Sequence, residues 1–332
     1  MPTALVTGAA GFIGSFLCEE LLRRGYQVVG VDNLFRGRMA NLSDAQEKDA
    51  FEFHRLDLTD RDAARSLNEL LRSRSVTVVF HYAAINGTQH FYDHPKLVLD
   101  WNTRITVAVM ESLEGSPVER IVYASSAEVY GEPDIIPTPE SHPVKLNTMA
   151  DRDSYAVSKA IGDFYTRLFA QELGIGYVIL RIFNAYGERM VNTKYGQVIP
   201  EFIRKCSEEA EFEIIGDGSH TRSFCYVRDA VERMVALGEK GDRPIYNVGN
   251  DEELSILKLA KLVHELMGRP FRPVFLPERS DEHRRRCPDI GLMRATLGNL
   301  RVTPLDDGLR RTIAYYGSSS LMQKSPNQPV RE

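Results

Sequence analysis

Short apolar runs alternate with amphipathic stretches through the first half of the chain. Ala4–Thr7, Gln27–Val31, Phe51–Arg55, Thr77–Phe80, Arg120–Ala124 and Tyr177–Arg181 are rich in β-branched and aromatic residues, and each predicts a strand. Between them apolar residues recur at helical spacing. Phe12–Arg24 carries Phe12, Phe16, Leu17 and Leu21, and Asp60–Arg72 carries Ala63, Ala64, Leu67, Leu70 and Leu71. Pro95–Leu113 and Ser154–Leu173 are the two longer helical stretches. This rhythm predicts βαβ units. Strands so uniformly apolar are buried on both faces, so helices must cover both sides of the sheet. The expected fold class is α/β, a doubly wound parallel sheet of the Rossmann type.

After Arg181 the rhythm breaks. Asn184–Tyr195 has the composition of a loop. Gln197–Glu208 predicts a helix, Glu213–Ile215 and Phe224–Val227 strands, and Asp229–Gly238 a helix. Pro244–Val248 predicts a strand and Leu254–Met267 an amphipathic helix, after which Pro270, Pro273 and Pro277 mark an extended segment. These pieces predict a smaller, interleaved α/β lobe closing over a ligand. The expected division is 1–183 for the sheet domain with a returning segment at 223–248, then 184–222 and 249–316 for the lobe, with 317–332 a polar, frayed tail.

Bulk composition narrows the partners. The 332 residues are 43% hydrophobic and 26% charged, and the net charge of -5 offers no field for nucleic acid or an anionic membrane. Arg284-Arg285-Arg286 is a local basic run, suited to a single anion. No apolar run approaches the roughly 20 residues of a membrane span. Cys18, Cys206, Cys225 and Cys287 have neither metal nor disulfide spacing, so no metal is expected and the thiols read as reduced. The first strand begins at once, without a basic-then-apolar leader, and the expected location is the cytoplasm.

Two distant segments carry chemistry. Gly8-x-x-Gly11-Phe12-Ile13-Gly14 follows the first strand and opens a helix. Gly8 suits a tight turn, Gly11 a close approach of backbone to a pyrophosphate, and Gly14 close packing of helix on strand. The helix N-terminus offers free N–H groups to the anion. Asp32, at the end of the second strand, can accept hydrogen bonds from both ribose hydroxyls and repel a 2′-phosphate, which favours NAD over NADP; Arg36 and Arg38 nearby pull the other way. Asp57-Leu58, after the third strand, is placed to meet the adenine or to cap a helix.

Tyr155 and Lys159 lie at i, i+4 in Ser154-Tyr-Ala-Val-Ser-Lys-Ala, which puts both on one helix face with Ser154 as the expected cap. An ammonium there, together with the positive ring of a bound nicotinamide, would pull the phenol pKa towards neutrality and make it a general base. The similar pair Tyr92 and Lys96 has Pro95 between its members. Ser126, in preference to Ser125, stands just past the fifth strand, where ligands of open α/β sheets bind. Its hydroxyl could bond the substrate oxygen.

At these residues the chain resembles extended short-chain dehydrogenases/reductases of the nucleotide-sugar epimerase/dehydratase family. The matching pieces are Gly8–Gly14, Asp32-Asn33, Asp57-Leu58, His81–Ala84, Asn102, Ser125–Gly131, Tyr155/Lys159, Leu180–Gly187, Gly216–Gly218, Arg222–Phe224 and Arg286–Ile290. The resemblance implies a tightly held NAD that oxidises a sugar hydroxyl at C4 and later returns the hydride. Ala83 and Asn102 fall among its cofactor residues. It also implies a homodimer joined through helices 95–113 and 154–173, and a nucleotide-sugar substrate, UDP-linked by preference.

Within that family, the 4,6-dehydratases have an Asp-Glu pair where this chain has Ala127 and Glu128. Glu128 in Ser-x-Glu-Val-Tyr-Gly is similar to UDP-glucuronate decarboxylases, which is the favoured reading. A 4-epimerase or a non-4,6 dehydratase is the alternative, and a non-catalytic NAD sensor would be expected to lose the tyrosine or lysine. Glu128 beside a substrate carboxylate would repel it, and would assist only if protonated or paired with an arginine; a structural acid bonded to backbone is the other option. Arg222 and Arg286 resemble diphosphate clamps. Arg152 and Arg181 are candidates for a substrate carboxylate, with surface salt bridging the alternative. Asn184 is expected at the sugar or diphosphate, or in a turn, and His81 in strand-end packing.

Overall fold

The computed structural model describes residues 1–191, 197–208, 211–278, 283–298 and 300–318. The chain runs β1 (Thr3–Thr7), α1 (Phe12–Arg23), β2 (Gln27–Asp32), α2 (Ser43–Gln46), β3 (Phe51–Arg55), α3 (Ala63–Ser73), β4 (Val78–His81), α4 (Thr88–Asp93), α5 (Pro95–Ser112), β5 (Arg120–Ser126) and a 3₁₀ turn Ala127–Tyr130. It continues through α6 (Asp153–Leu173), β6 (Gly176–Ile182), β7 (Ala185–Tyr186), α7 (Val198–Glu208), β8 (Phe212–Ile215), β9 (Thr221–Ser223), β10 (Cys225–Tyr226), α8 (Val227–Lys240) and β11 (Ile245–Val248). The last elements are β12 (Glu253–Ser255), α9 (Ile256–Leu266), β13 (Pro273–Leu276), β14 (Arg285–Arg286), α10 (Gly291–Leu297) and α11 (Leu305–Ser318).

Seven parallel strands form the central sheet in the order β11-β6-β5-β4-β1-β2-β3. Ala4, Leu5 and Val6 of β1 have no exposed surface, as a middle strand requires. Leu17 and Leu21 of α1 join Met234 and Val235 of α8 in the core on one face. Leu67, Leu71, Val109 and Ala170 of α3, α5 and α6 build the other. Strand order reverses around β1, so a crevice opens beyond the carboxyl ends of β1 and β4.

The later segments form the smaller lobe. Three short strands pair in the order β12-β9-β14, β13 pairs with β8, and β10 with β7. Because β14 runs parallel to β9 with Arg286 opposite Arg222, the two arginines sit side by side. The strand expected at Phe224–Val227 is only β10, and Val227 already begins α8. Leu254 belongs to β12, so the helix expected from it starts at Ile256, capped by Ser255. Asp60 to Asp62 form a turn rather than the start of α3. The loop expected at Asn184–Tyr195 contains β7, and its residues 192–196 lie outside the described residues. Gly317 closes α11 instead of starting a tail, and residues 319–332 lie outside the described residues. α4, α10 and α11 escape the sequence reading. Among the described residues no helix is long and apolar enough to cross a membrane.

Candidate active site

A cavity of about 550 Å³ occupies the crevice beyond β1 and β4 and continues under the smaller lobe. Its floor is the glycine turn. Gly8 has φ +71°, and a Cβ there would lie 2.9 Å from the Ala83 backbone. A Cβ on Gly14 would fall 2.0 Å from the Gly8 carbonyl oxygen, so helix and strand meet at a distance only glycine permits. Gly11 is the N-cap of α1 and offers no side-chain cap, which leaves the first-turn N–H groups, on Phe12 and Ile13 at the cavity wall, for a ligand. Asp32 is buried and accepts from Ala10 N at 3.1 Å and Leu34 N at 2.7 Å. Burial raises its pKa, and those two amides lower it. A glycine cradle, open amides and a backbone-oriented carboxylate at the next strand end fit a dinucleotide.

At the far end of the same cavity, α6 presents Tyr155 and Lys159 to the wall, beside Ser126 at the end of β5. The Tyr155 phenol faces the Ser126 side chain, which pulls its pKa down. Ser126 Oγ also accepts from Glu128 N at 3.2 Å, which orients the hydroxyl. Lys159 Nζ donates to the Ala124 carbonyl at 2.7 Å and lies 5.8 Å from the Tyr155 ring centroid. Burial pulls the Lys159 pKa down to about 8, against an upward pull from Asp163. The tyrosine departs from expectation. Burial pushes its pKa well above the ordinary value, and the downward pulls come from Ser126 and Arg36, not from Lys159. Burial thus favours the protonated phenol, against the pulls of Ser126 and Arg36.

The third part is a charge cluster. Glu128 Oε2 accepts from Arg286 Nη2 at 2.9 Å and lies 3.6 Å from Arg152 Nη2 and 3.8 Å from His283 Nε2. Burial alone would raise its pKa, but Arg286, Arg152, His283 and Arg222 outweigh it and hold the carboxyl at about 2. Glu128 is therefore ionised and bonded to arginine rather than to backbone. Burial and the neighbouring Arg286 hold His283 near 3, so it is neutral. Three guanidiniums facing one carboxylate leave a positive surplus. Among the described residues Arg286 Nε and Nη1 are buried without a hydrogen-bond partner, which leaves donors on two sides of the guanidinium for a ligand.

Several residues singled out from the sequence stand elsewhere. Asn102 bridges Ile85 N at 2.7 Å, Ile85 O at 3.1 Å and Ser158 Oγ at 3.2 Å; it ties a loop to α6 and does not reach the cavity. Asp57 accepts from Thr59 N at 2.9 Å and from Asn33 Nδ2 at 3.1 Å, holding a turn and not capping α3, whose N-cap is Asp62, while Leu58 lines the cavity with Asn33. Arg181 is buried against Asp163 at 3.1 Å and over the Tyr130 ring at 4.7 Å, away from the cavity. Ser154 is no cap: α6 starts at Asp153, and the Ser154 hydroxyl is buried without a partner. Asn184, at φ +33°, lines the cavity and donates to Ser223 O at 3.0 Å. His81 bonds Thr7 Oγ1 at 2.8 Å in strand-end packing. Phe35, Arg36, Gln89, Phe91 and Trp101 also line the cavity. Of these only the charge of Arg36 was visible in the sequence, because the others reach the wall through contacts between distant segments.

Comparison with known proteins agrees with this geometry. The description of the NAD dependent epimerase/dehydratase family matches residues 4–249. The chain is 32% identical over 326 residues to UDP-glucuronic acid decarboxylase 1 of Danio rerio, covering 98% of this chain and 75% of that protein. The solved structure of UDP-glucose 4-epimerase from Thermotoga maritima with UDP-glucose superposes with TM-score 0.86 at 28% identity, covering 95% of this chain and 98% of that one. UDP-glucuronic acid 4-epimerase from Bacillus cereus, in complex with UDP-glucuronic acid and NAD, superposes with TM-score 0.83 at 28% identity, covering 95% and 99%.

Proposed function

The chain belongs to the NAD dependent epimerase/dehydratase family, and from that premise we propose that it decarboxylates a UDP-linked uronic acid by way of a transient 4-keto sugar. NAD, when bound, supplies a reversible two-electron acceptor for the C4–H bond of the sugar. Gly8, Gly11, Gly14, Asp32, Asn33 and Leu58 would hold it, tightly enough to stay bound between turnovers.

The chain's own residues do the rest. Tyr155, ionised under the positive charge that a bound nicotinamide would add, takes the proton of the C4 hydroxyl, and Ser126 hydrogen-bonds the same oxygen. Lys159, whose ammonium donates to the Ala124 carbonyl, would hold the cofactor ribose. Once C4 is a ketone, the uronate carboxyl is β to a carbonyl. The C5–C6 bond then breaks, carbon dioxide leaves, and the electron pair is held as an enolate whose oxygen faces Ser126 and Tyr155. A proton delivered to C5 gives the 4-keto pentose, and Tyr155 then hands its proton back to the C4 oxygen as that carbon regains the hydride the bound coenzyme would return, giving the UDP-pentose. Arg222 and Arg286 bind the diphosphate, and Arg152 the uronate carboxylate, with Asn184 at the sugar.

One observation carries this reading: Glu128 is ionised, paired with Arg286 and Arg152, and adjacent to Ser126. Paired this way, it orients the guanidiniums that receive anions and disfavours a neighbouring carboxylate, whose charge disappears as carbon dioxide. The test is to incubate the protein with UDP-glucuronate and measure carbon dioxide. Gas with a UDP-pentose supports the reading. An altered sugar with all its carbons would replace it with 4-epimerisation, the second reading, favoured by the close superposition on UDP-glucose 4-epimerase.

Two further parts of the proposal concern assembly and location. Phe164 and Leu168 are 60% and 50% exposed at i, i+4 on the outer side of α6, which supports a homodimer joined through α5 and α6. The proposed division keeps 1–183 and the returning segment at 223–248 as the NAD-binding unit, with the remaining segments to 316 as the sugar-nucleotide lobe. A cytoplasmic location fits free, buried cysteines.

A further inference from the structure

Phe91 sits on α4 between the cavity and the start of α5 and is 3% exposed. Its ring lies against that of Tyr155, with centroids 4.7 Å apart and planes inclined by 13°. The two belong to one apolar cluster with Ile85 and Val98, bordered by Phe35, Leu97 and Trp101. Phe35 and Trp101 meet edge to face at 5.3 Å. The cluster therefore joins the segment after β2, which bears Asp32, to the helix that bears Tyr155.

We propose that Phe91 is a positioning residue for Tyr155: its stacked ring fixes the plane of the phenol, keeps water from one ring face and aims the hydroxyl at Ser126. The proposal rests on Tyr155 being the proton acceptor. A phenol has two free side-chain torsions, and a parallel ring across one face blocks the rotation that would turn the hydroxyl from the cavity. Misplacement of a reacting group by about 1 Å costs on the order of a hundredfold in rate.

Several charged or titratable groups act on Tyr155 from the elements packed around it. Arg36 acts from the segment after β2, Glu128 from the turn after β5, Tyr123 from β5 and Lys159 from α6. What α4 places against the ring is Phe91, and its contribution is shape and the exclusion of water.

Phe91→Leu and Phe91→Met keep an apolar group in the slot but remove the ring, and Phe91→Tyr keeps the ring. Thermal unfolding first checks that each is folded at the assay temperature. For Leu and Met the expected result is kcat lower by about tenfold or more, with KM for the nucleotide sugar within about twofold. Water reaching the phenol also moves the rising limb of the kcat profile to lower pH, since burial is what holds the phenol's proton on. Phe91→Tyr restores both. A folded Leu or Met variant with unchanged kcat and a superimposable pH profile would overturn the proposal, as would a loss confined to thermal stability. Tyr155→Phe, run alongside, separates the two ideas: turnover surviving there overturns the role of Tyr155 itself.

Discussion

Glu128 and Arg286 are 158 positions apart in the chain and 2.9 Å apart in the fold. The first leaves the main sheet on the 3₁₀ turn after β5. The second arrives on β14, whose pairing with β9 sets Arg286 beside Arg222. The pair thus ties the sheet domain to the smaller lobe at the point where Ser126 and Tyr155 stand.

Glu128→Gln removes the acid that is hydrogen-bonded to Arg286 and lies beside Arg152. The expected outcome is kcat for UDP-glucuronate lower by roughly a hundredfold, with KM unchanged or lower because no carboxylate repels the substrate. Stability follows the depressed pKa. The pair's contribution is fully present above the ordinary carboxyl range and is lost as pH falls towards about 2. The Tm gap between wild type and variant should be wide at neutral pH and close in strong acid.

Lys159→Met should abolish turnover and yet stabilise the protein. Burial holds the lysine near pKa 8, below its ordinary value, so the folded state binds fewer protons than the unfolded one between pH 8 and the unfolded lysine pKa. Wild-type stability is penalised most below pH 8 and recovers as pH rises through that window. Removing the charge should add about 3 kcal/mol at neutral pH, as an upper figure, since the bond to Ala124 is lost as well. Denaturant melts at neutral and alkaline pH check the sign: the variant's advantage should shrink as pH rises.

Arg181→Met should cost about 3 kcal/mol or more, because it leaves Asp163 buried and unpaired. Adding Asp163→Asn should recover much of that loss. Turnover per folded molecule should stay near wild type in both, measured against the folded fraction from circular dichroism. A selective rise in KM would instead return Arg181 to the substrate.

Gly14→Ala places a methyl 2.0 Å from the Gly8 carbonyl, so either α1 or the turn must shift. The expected result is loss of bound NAD, read by mass spectrometry of small molecules released on denaturation. An alanine variant that still retains NAD would contradict the tight approach described for this turn.

Features written in short stretches of sequence were legible: the βαβ rhythm to Arg181, the Gly8–Gly14 cradle, and the i, i+4 pair on α6. A local period or φ requirement dictates each. Choosing among Arg152, Arg181, Arg222 and Arg286 was a different matter. All four have the same chemistry, and only the register of β14 on β9 and the burial of Asp163 send three to the cavity and one into packing. For Asn102 and Asp57 the roles seen are local hydrogen bonds, which short polar side chains make as readily as ligand contacts. For Tyr155, the i, i+4 spacing predicts proximity to an ammonium but not the burial that opposes ionisation. Phe91 gave no signal, being one apolar residue on a helix of six.

The central claim is that the sugar is oxidised at C4 within the cavity bounded by the glycine turn and Tyr155. It is tested most directly by presenting UDP-glucuronate with deuterium at C4 to the NAD-loaded protein, quenching in methanol during turnover, and weighing the released coenzyme. The expected result is a reduced coenzyme carrying one deuterium, alongside a UDP-pentose. Failure to form product from this substrate, or product formed while the coenzyme stays oxidised and unlabelled, would contradict it.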